Sequence, residues 1–133
     1  MSVEGNKKIV TEFFRIFSSG DVSGALEMLT ADSTWEIVGK PHLFPFAGKW
    51  PKEEFRKSLD TLPQHMPGGV TMTPKFMIGE GDWVAAEVES LAHHVSGKIY
   101  NNRYGYFIRI EGDKIASIQE HLDTSHAIEV LMT

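Results

Sequence analysis

The sequence predicts an α+β domain in which N-terminal helices precede an antiparallel sheet. Two observations predict this class: apolar residues recur at a spacing of about 3.6 before residue 70, and of about two after it. The chain has 133 residues, of which 41% are hydrophobic and 23% charged, which is typical of one domain. We expect that single domain to span residues 1–133, with the helices covering one face of the sheet.

The first half of the chain is predicted to be mainly helical. A helix over 6–19 carries a wide apolar stripe that includes Phe13 and Phe14, and Gly20 ends it. A second, short helix begins at Asp21 or Ser23. The elements that follow are predicted as a strand over 34–38, an ordered loop over 39–50 and a helix over 51–66 whose first residue is proline.

The second half is predicted to be a meander of strands over 70–78, 83–95, 99–111 and 114–123, joined by glycine-containing turns. Symmetrical turns place Tyr104 opposite Ser90 and His121, and Asn102 opposite Asp123. Because side chains alternate along a strand, these polar residues share one face with Val88 and Tyr106, among others. The residues expected on the opposite, outer face are Glu87, Glu89, Arg103, Arg109 and Glu120. An apolar face with a polar end, covered by helices, can form a pocket for a mostly apolar small molecule.

Asp123 is the first candidate for chemistry, because burial without a cationic partner raises the pKa of a carboxyl group toward that of a general acid–base. The alternative is that Asp123 caps the helix that follows it. His121 can move a proton or orient Asp123, or it can be an interior histidine with its hydrogen bonds satisfied. Tyr104 can donate a hydrogen bond to a substrate, or it can simply pack against its neighbours.

The composition argues against several function classes. The net charge of −5 repels phosphate backbones, so nucleic acid is not an expected partner. Cysteine is absent, and the histidines lack the spacing of metal ligands, so no metal is expected. No glycine-rich nucleotide loop occurs. Without a signal sequence or an apolar run of about 18 residues, we expect a cytoplasmic protein with no membrane contact.

Four segments of the sequence carry a resemblance to a known family: FSSGD at 17–21, ALEMLTADSTWE at 25–36, PFAG at 45–48, and YFIRIEGDKI at 106–115 running into EHLDT at 120–124. They resemble the SnoaL-like family of the nuclear transport factor 2-like (NTF2-like) superfamily, which includes ketosteroid isomerases, limonene epoxide hydrolase and polyketide cyclases. The resemblance implies a cone-shaped, curved, mixed but mainly antiparallel sheet wrapped around three N-terminal helices, a cystatin-like fold. It also implies a homodimer formed through the outer sheet face.

The resemblance carries over only some of the family's functional residues. A ketosteroid isomerase would have Asp at the positions of Ile37 and Tyr106, and Tyr at the position of Phe13. Limonene epoxide hydrolase would place Arg and Asp where this chain has Val88 and Ser90. Asp123 matches the third acid of that hydrolase and the acid–base Asp of the polyketide cyclases, which need no cofactor.

We therefore hypothesise a cofactor-free enzyme of isomerase, cyclase or hydrolase type that acts by general acid–base catalysis on an apolar carbonyl-containing or cyclic metabolite. The predicted catalytic residues are Asp123, His121 and Tyr104. The predicted substrate-binding residues are Trp35, Ile37, Phe46, Phe55, Leu59, Val88, Ser90, Asn102 and Tyr106. The alternatives are a ligand-binding protein without chemistry and a protein-interaction module that uses the outer sheet face.

Overall fold

The computed structural model describes residues 2–132 as helices packed against a curved sheet. The helices are α1 (Val3–Ser18), α2 (Val22–Glu27), α3 (Lys52–Asp60), α4 (Leu62–His65) and α5 (Thr124–Leu131). The strands are β1 (Leu29–Ile37), β2 (Gly48–Pro51), β3 (Thr71–Glu80), β4 (Trp83–His93), β5 (Ile99–Tyr100), β6 (Arg103–Glu111) and β7 (Lys114–Leu122). Between residues 2 and 132, no helix has the length and apolar character needed to cross a bilayer.

The sheet has seven strands in the order β2-β1-β7-β6-β4-β3, with β5 paired beside β4. All pairings are antiparallel except that of β1 with β7, which is parallel. The parallel pair joins the N-terminal strand to the C-terminal one, so the sheet curls around the helices as a half-barrel. The predicted α+β class and the mixed, mainly antiparallel sheet around N-terminal helices are therefore confirmed.

Helix α1 lies across the concave, inner face of the sheet because its apolar stripe has to be buried. Its residues Val10, Phe13 and Phe14 are at most 1% exposed. Ser2 caps its start by accepting a hydrogen bond from the backbone of Gly5, and Gly20 follows its end with a φ of 91°. That left-handed conformation is one that glycine adopts without strain, as the sequence predicts.

Several predicted boundaries differ from the structure. The strand predicted over 34–38 begins earlier, at Leu29, and the predicted loop over 39–50 ends in strand β2. The helix predicted over 51–66 is divided at Thr61 into α3 and α4. The strand predicted over 99–111 is divided at residues 101–102, where the backbone N–H of Asn102 donates to Ser90 Oγ rather than to a backbone oxygen of β4.

The predicted register between β6 and β7 is wrong by one residue. A bulge lies between Arg109 and Ile110, so Tyr104 pairs with Leu122 and not with His121. Such a bulge adds one residue to one strand and shifts every pair beyond it. Between β4 and β6 the predicted register is wrong by two residues, which leaves the faces unchanged.

The bulge exchanges the two faces of β7. Glu120, expected on the outer face, lies on the inner face opposite Tyr106, and it is only 7% exposed. His121, expected on the inner face, lies outside, where its ring meets that of Phe107 edge-on at 5.5 Å. Because side chains alternate along a strand, a shift of one residue is enough to exchange a buried carboxyl group with a partly exposed imidazole.

Candidate functional site

An apolar cavity lies between the helices and the inner face of the sheet. Its inner compartment measures about 150 Å³ and its outer compartment about 310 Å³. The residues that line both compartments include Ile37, Phe55, Leu59, Tyr100, Tyr104 and Glu120. A concave, mainly apolar site with a few polar groups is the usual form of a small-molecule site.

Seven of the predicted site residues line this cavity. Ile37, Phe55, Leu59 and Tyr104 border both compartments, Trp35 and Tyr106 border the inner one, and Phe46 borders the outer one. Trp35 is held in place by its ring stack on Phe55, with centroids 4.2 Å apart and planes 18° from parallel. The aromatic wall is thus built jointly by the sheet and by helix α3.

Five predicted site residues lie elsewhere. Val88 is fully buried in the core and does not border the cavity. Ser90 and Asn102 are also buried but bond to each other, since the backbone N–H of Asn102 donates to Ser90 Oγ at 2.8 Å. The remaining two residues are His121, which lies on the outer sheet face, and Asp123.

Asp123 is exposed, in contrast to its expected position near buried surface. Its side chain accepts a hydrogen bond of 3.2 Å from the backbone N–H of His126 and caps helix α5. This is the structural alternative considered from the sequence, because a carboxylate here satisfies a backbone donor of the first helical turn. The geometry therefore gives Asp123 a capping contact and does not bring it into the cavity.

Glu120 is the carboxyl group that does reach the cavity. It occupies the inner face of β7, between Ile37 on β1 and Tyr106 on β6. Its Oε1 atom accepts hydrogen bonds from Trp35 Nε1 at 2.9 Å and from the Tyr106 hydroxyl at 3.4 Å. Within residues 2–132, its Oε2 atom has no protein hydrogen bond and Glu120 has no salt bridge, so one carboxyl oxygen is left for a ligand.

Burial raises the pKa of Glu120 to about 7, although the hydrogen bonds from Trp35 and Tyr106 act in the opposite direction. The dominant cause is loss of water, which penalises the charged form of a carboxyl group. Near neutral pH both the acid and the carboxylate are then populated. A group in this state can accept a proton and give one back, which is the requirement for general acid–base catalysis.

The sequence contained two signals for the residues that were missed. Ile118, Glu120 and Leu122 alternate on β7, so the burial of Ile118 places Glu120 on the inner face. Likewise Tyr100 lies at even spacing from Tyr104 along the predicted strand and shares its face. The predicted register assumed a symmetrical turn without a bulge, and it therefore placed Glu120 on the outer face.

Candidate metal ligands do not come together in this part of the molecule. Between residues 2 and 132, no group of three His, Asp or Glu side chains is arranged to hold a metal ion. His65 and His94 border the outer compartment with rings 6.2 Å apart and 13° from parallel. They are the two histidines that line this compartment.

The curved sheet and the helices that it surrounds form the fold of the NTF2-like proteins. A model of the SnoaL-like domain matches residues 10–118, and the chain belongs to the SnoaL-like family. The resemblance noted in the sequence is thereby confirmed. Among curated proteins, none matches this chain.

Solved structures support the same fold. An NTF2-like protein of unknown function from Burkholderia pseudomallei K96243 shares 20% identity over 100% of both chains, with a TM-score of 0.84. TerC, co-crystallised with polyporic acid, shares 17% identity over 97% of this chain and 99% of its own, with a TM-score of 0.82. AclR, a putative hydroxylase from Streptomyces galilaeus, shares 14% identity over 96% and 85%, with a TM-score of 0.79. At these identities the likeness concerns the fold alone.

Proposed function

We propose that the protein is a small-molecule enzyme that needs no cofactor and acts by general acid–base catalysis on an apolar carbonyl-containing or cyclic compound, with Glu120 as the acid–base group. The observation that carries the proposal is a carboxyl group with a pKa of about 7 and one oxygen left for a ligand in an apolar cavity. Glu120 thus takes the role that the sequence suggested for Asp123.

The proposed reaction begins with the carboxylate form of Glu120. It takes a proton from a carbon beside the substrate carbonyl, and the electron pair of the broken C–H bond moves to the carbonyl oxygen. The protonated Glu120 then returns its proton to the substrate. Trp35 and Tyr106 hold Oε1 by hydrogen bonds, which fixes the carboxyl plane and leaves Oε2 for the transfer.

The cavity supports an apolar substrate of modest size. Its wall is largely aromatic and aliphatic, and neither compartment is lined by lysine or arginine in the part of the chain that the structure describes. An apolar wall excludes water, which keeps the pKa of Glu120 raised and strengthens its hydrogen bonds. The co-crystal of the similarly folded TerC with polyporic acid agrees with a small organic ligand here.

The test needs no knowledge of the natural substrate. The protein is incubated in D₂O with 2-tetralone, an apolar ketone with an acidic C–H group beside its carbonyl, and proton NMR follows the exchange of that hydrogen for deuterium. Wild-type protein is expected to accelerate exchange over buffer, and Glu120→Gln is expected to lose the acceleration because an amide cannot accept the proton. Glu120→Gln should remain folded, which circular dichroism checks.

The matched control is Glu36→Gln, which removes a carboxylate from the neighbouring strand. Glu36 accepts a hydrogen bond of 3.2 Å from Gln119 on the outer face and does not border the cavity. Acceleration should survive in Glu36→Gln. Loss of acceleration in Asp123→Asn but not in Glu120→Gln would return the role to Asp123, and binding of 2-tetralone without any acceleration would favour a ligand-binding protein.

We also propose that the protein forms a homodimer through the outer sheet face. The large apolar side chains exposed on this face include Phe76, Ile78, Trp83 and Phe107, each at least 45% exposed. They come from β3, β4 and β6, which are adjacent in the sheet. Contiguous apolar residues on a sheet face are typical of a protein–protein contact, and a second copy supplies a surface of the same character.

A further inference from the structure

The side-chain amide of Asn102 is fixed in one orientation beside the cavity. Asn102 Nδ2 donates to the backbone oxygen of Asp123 at 2.9 Å, and Asn102 Oδ1 accepts from the backbone N–H of Asp123 at 3.0 Å. Reversing the amide would break both bonds. Asn102 is 2% exposed, so no bulk solvent is available to replace them. The second hydrogen of Nδ2 is therefore available at a fixed position.

That hydrogen begins a chain of hydrogen bonds that ends at the cavity. Asn102 Nδ2 donates to the hydroxyl oxygen of Tyr100 at 3.2 Å, and this oxygen lies 2.5 Å from the hydroxyl oxygen of Tyr104. Either hydroxyl can donate to the other in this pair. Donation by Tyr100 continues the chain that Asn102 begins, because each bond then polarises the next one. The O–H of Tyr104 is then left without an acceptor among residues 2–132, and Tyr104 borders both compartments.

The two phenols remain donors at neutral pH. Loss of water on burial raises the pKa of Tyr100 to about 12 and holds the pKa of Tyr104 well above its usual value of 10.0. A phenol that keeps its proton can donate a hydrogen bond but cannot act as a base. Each donor in the chain polarises the next, so the last O–H is a better donor than an isolated phenol.

We propose that the hydroxyl of Tyr104, oriented by Tyr100 and Asn102, binds a neutral carbonyl oxygen of the molecule that occupies the cavity. A buried donor without an acceptor is costly, and a ketone, aldehyde, ester or quinone oxygen satisfies it. A pure hydrocarbon leaves the donor unsatisfied. A carboxylate would accept the bond but would also be repelled by Glu120 in its charged form.

The oxygen-binding site at Tyr104 adds detail to the proposed function. It rests on that proposal only in assuming that the substrate occupies the cavity. Tyr104 stacks on Tyr106 with ring centroids 5.4 Å apart, and Tyr106 donates to Glu120. The hydroxyl that would bind the oxygen belongs to one of these two stacked rings of β6. The other ring donates the hydrogen bond that holds the Glu120 carboxyl group. A carbonyl oxygen on Tyr104 gains negative charge when the adjacent carbon loses its proton, and a hydrogen bond to that oxygen strengthens as the charge develops.

The test compares two probes of the same shape, 1-tetralone and its hydrocarbon counterpart tetralin. Dissociation constants for both are measured by quenching of tryptophan fluorescence, and the tetralone-to-tetralin affinity ratio is compared among variants. Tyr104→Phe is expected to lower that ratio on the order of tenfold, the worth of one buried hydrogen bond. Tyr100→Phe is expected to lower it less, because it removes only the polarising partner.

Infrared spectroscopy of bound 1-tetralone supplies a readout that a packing defect would not move. The carbonyl band of 1-tetralone bound to wild-type protein should lie below its position in an apolar solvent, and Tyr104→Phe should return it to that position. The control is Thr73→Val, which removes a hydroxyl from an exposed residue of β3 that borders neither compartment. It should leave both the ratio and the band unchanged.

The proposal is overturned if Tyr104→Phe leaves the affinity ratio and the band unchanged, or if Thr73→Val changes them as much. A larger effect of Tyr100→Phe than of Tyr104→Phe would reverse the chain and overturn the assignment to Tyr104. If a Phe variant no longer binds tetralin, the carbonyl band of 1-tetralone bound to wild-type protein decides the question. A band at the same position as in an apolar solvent refutes the oxygen-binding site. Neither measurement depends on turnover, so loss of Glu120-dependent exchange alone would remove the proposed activity and leave the oxygen site.

Discussion

The raised pKa of Glu120 predicts that stability decreases as the pH rises through a defined window. Between pH 4.5 and about 7 the folded state keeps a proton on Glu120 that the unfolded state has lost. A state that binds more protons becomes less favoured as pH rises, so the free energy of unfolding falls across this window. The effect is absent below the window and complete above it.

The expected magnitude follows from the size of the pKa change. Raising the pKa from 4.5 to about 7 corresponds to about 3 kcal/mol of free energy of unfolding, because each pKa unit is worth about 1.4 kcal/mol. Glu120→Gln keeps a neutral group at every pH and removes this contribution. The unfolding free energy of wild type minus that of Glu120→Gln should therefore fall by about 3 kcal/mol between about pH 4 and about pH 8.

The assay is urea unfolding of both proteins at fixed protein concentration across that pH range, with the midpoint and slope fitted at each pH. Taking the difference between the proteins cancels the titration of every other group. Glu36→Gln provides the matched comparison, and its difference from wild type should lack the steep fall. A difference for Glu120→Gln that stays flat within about 1 kcal/mol would refute the raised pKa, and a difference that rises with pH would show a lowered one.

Three further predictions concern the surroundings of the site. Trp35→Phe removes the N–H that lowers the pKa of Glu120. The steep part of the curve of unfolding free energy against pH should therefore move to higher pH, and an unmoved curve would exclude that hydrogen bond. Phe107→Arg places a charge within the proposed dimer contact and should convert a dimer to a monomer in light scattering, whereas a monomeric wild type would contradict the dimer. Asp123→Ala should lower the free energy of unfolding by about 1 kcal/mol through loss of the cap, whereas Asp123→Asn should lower it by only a few tenths because Asn also caps helices. Equal losses for the two variants in urea unfolding would argue against capping.

Local patterns in the sequence were sufficient for most of the fold. The stripe that contains Phe13 and Phe14 predicted α1, and the change to two-residue spacing predicted the strands of the second half. These signals are reliable because the side chains that repeat along one element are the ones it buries. The aromatic and aliphatic part of the cavity wall, including Trp35, Phe55 and Tyr106, followed from the same patterns.

Which carboxyl group enters the cavity was decided only by the tertiary structure. The two candidates, Glu120 and Asp123, are three residues apart on one segment, and a single bulge beyond Arg109 determines which one the sheet turns inward. A bulge depends on how two strands pair and on the packing of both faces. The alternation of Ile118 and Glu120 shows that they share a face, but it cannot show which face of β7 is inside. Sequence alone therefore predicted an apolar pocket beside a strand rich in polar groups. It also offered the capping role of Asp123, which lies just beyond the end of β7 and begins helix α5. The three-dimensional pairing of β6 with β7 turned Glu120 into the cavity, because a register shift of one residue exchanges the two faces of a strand.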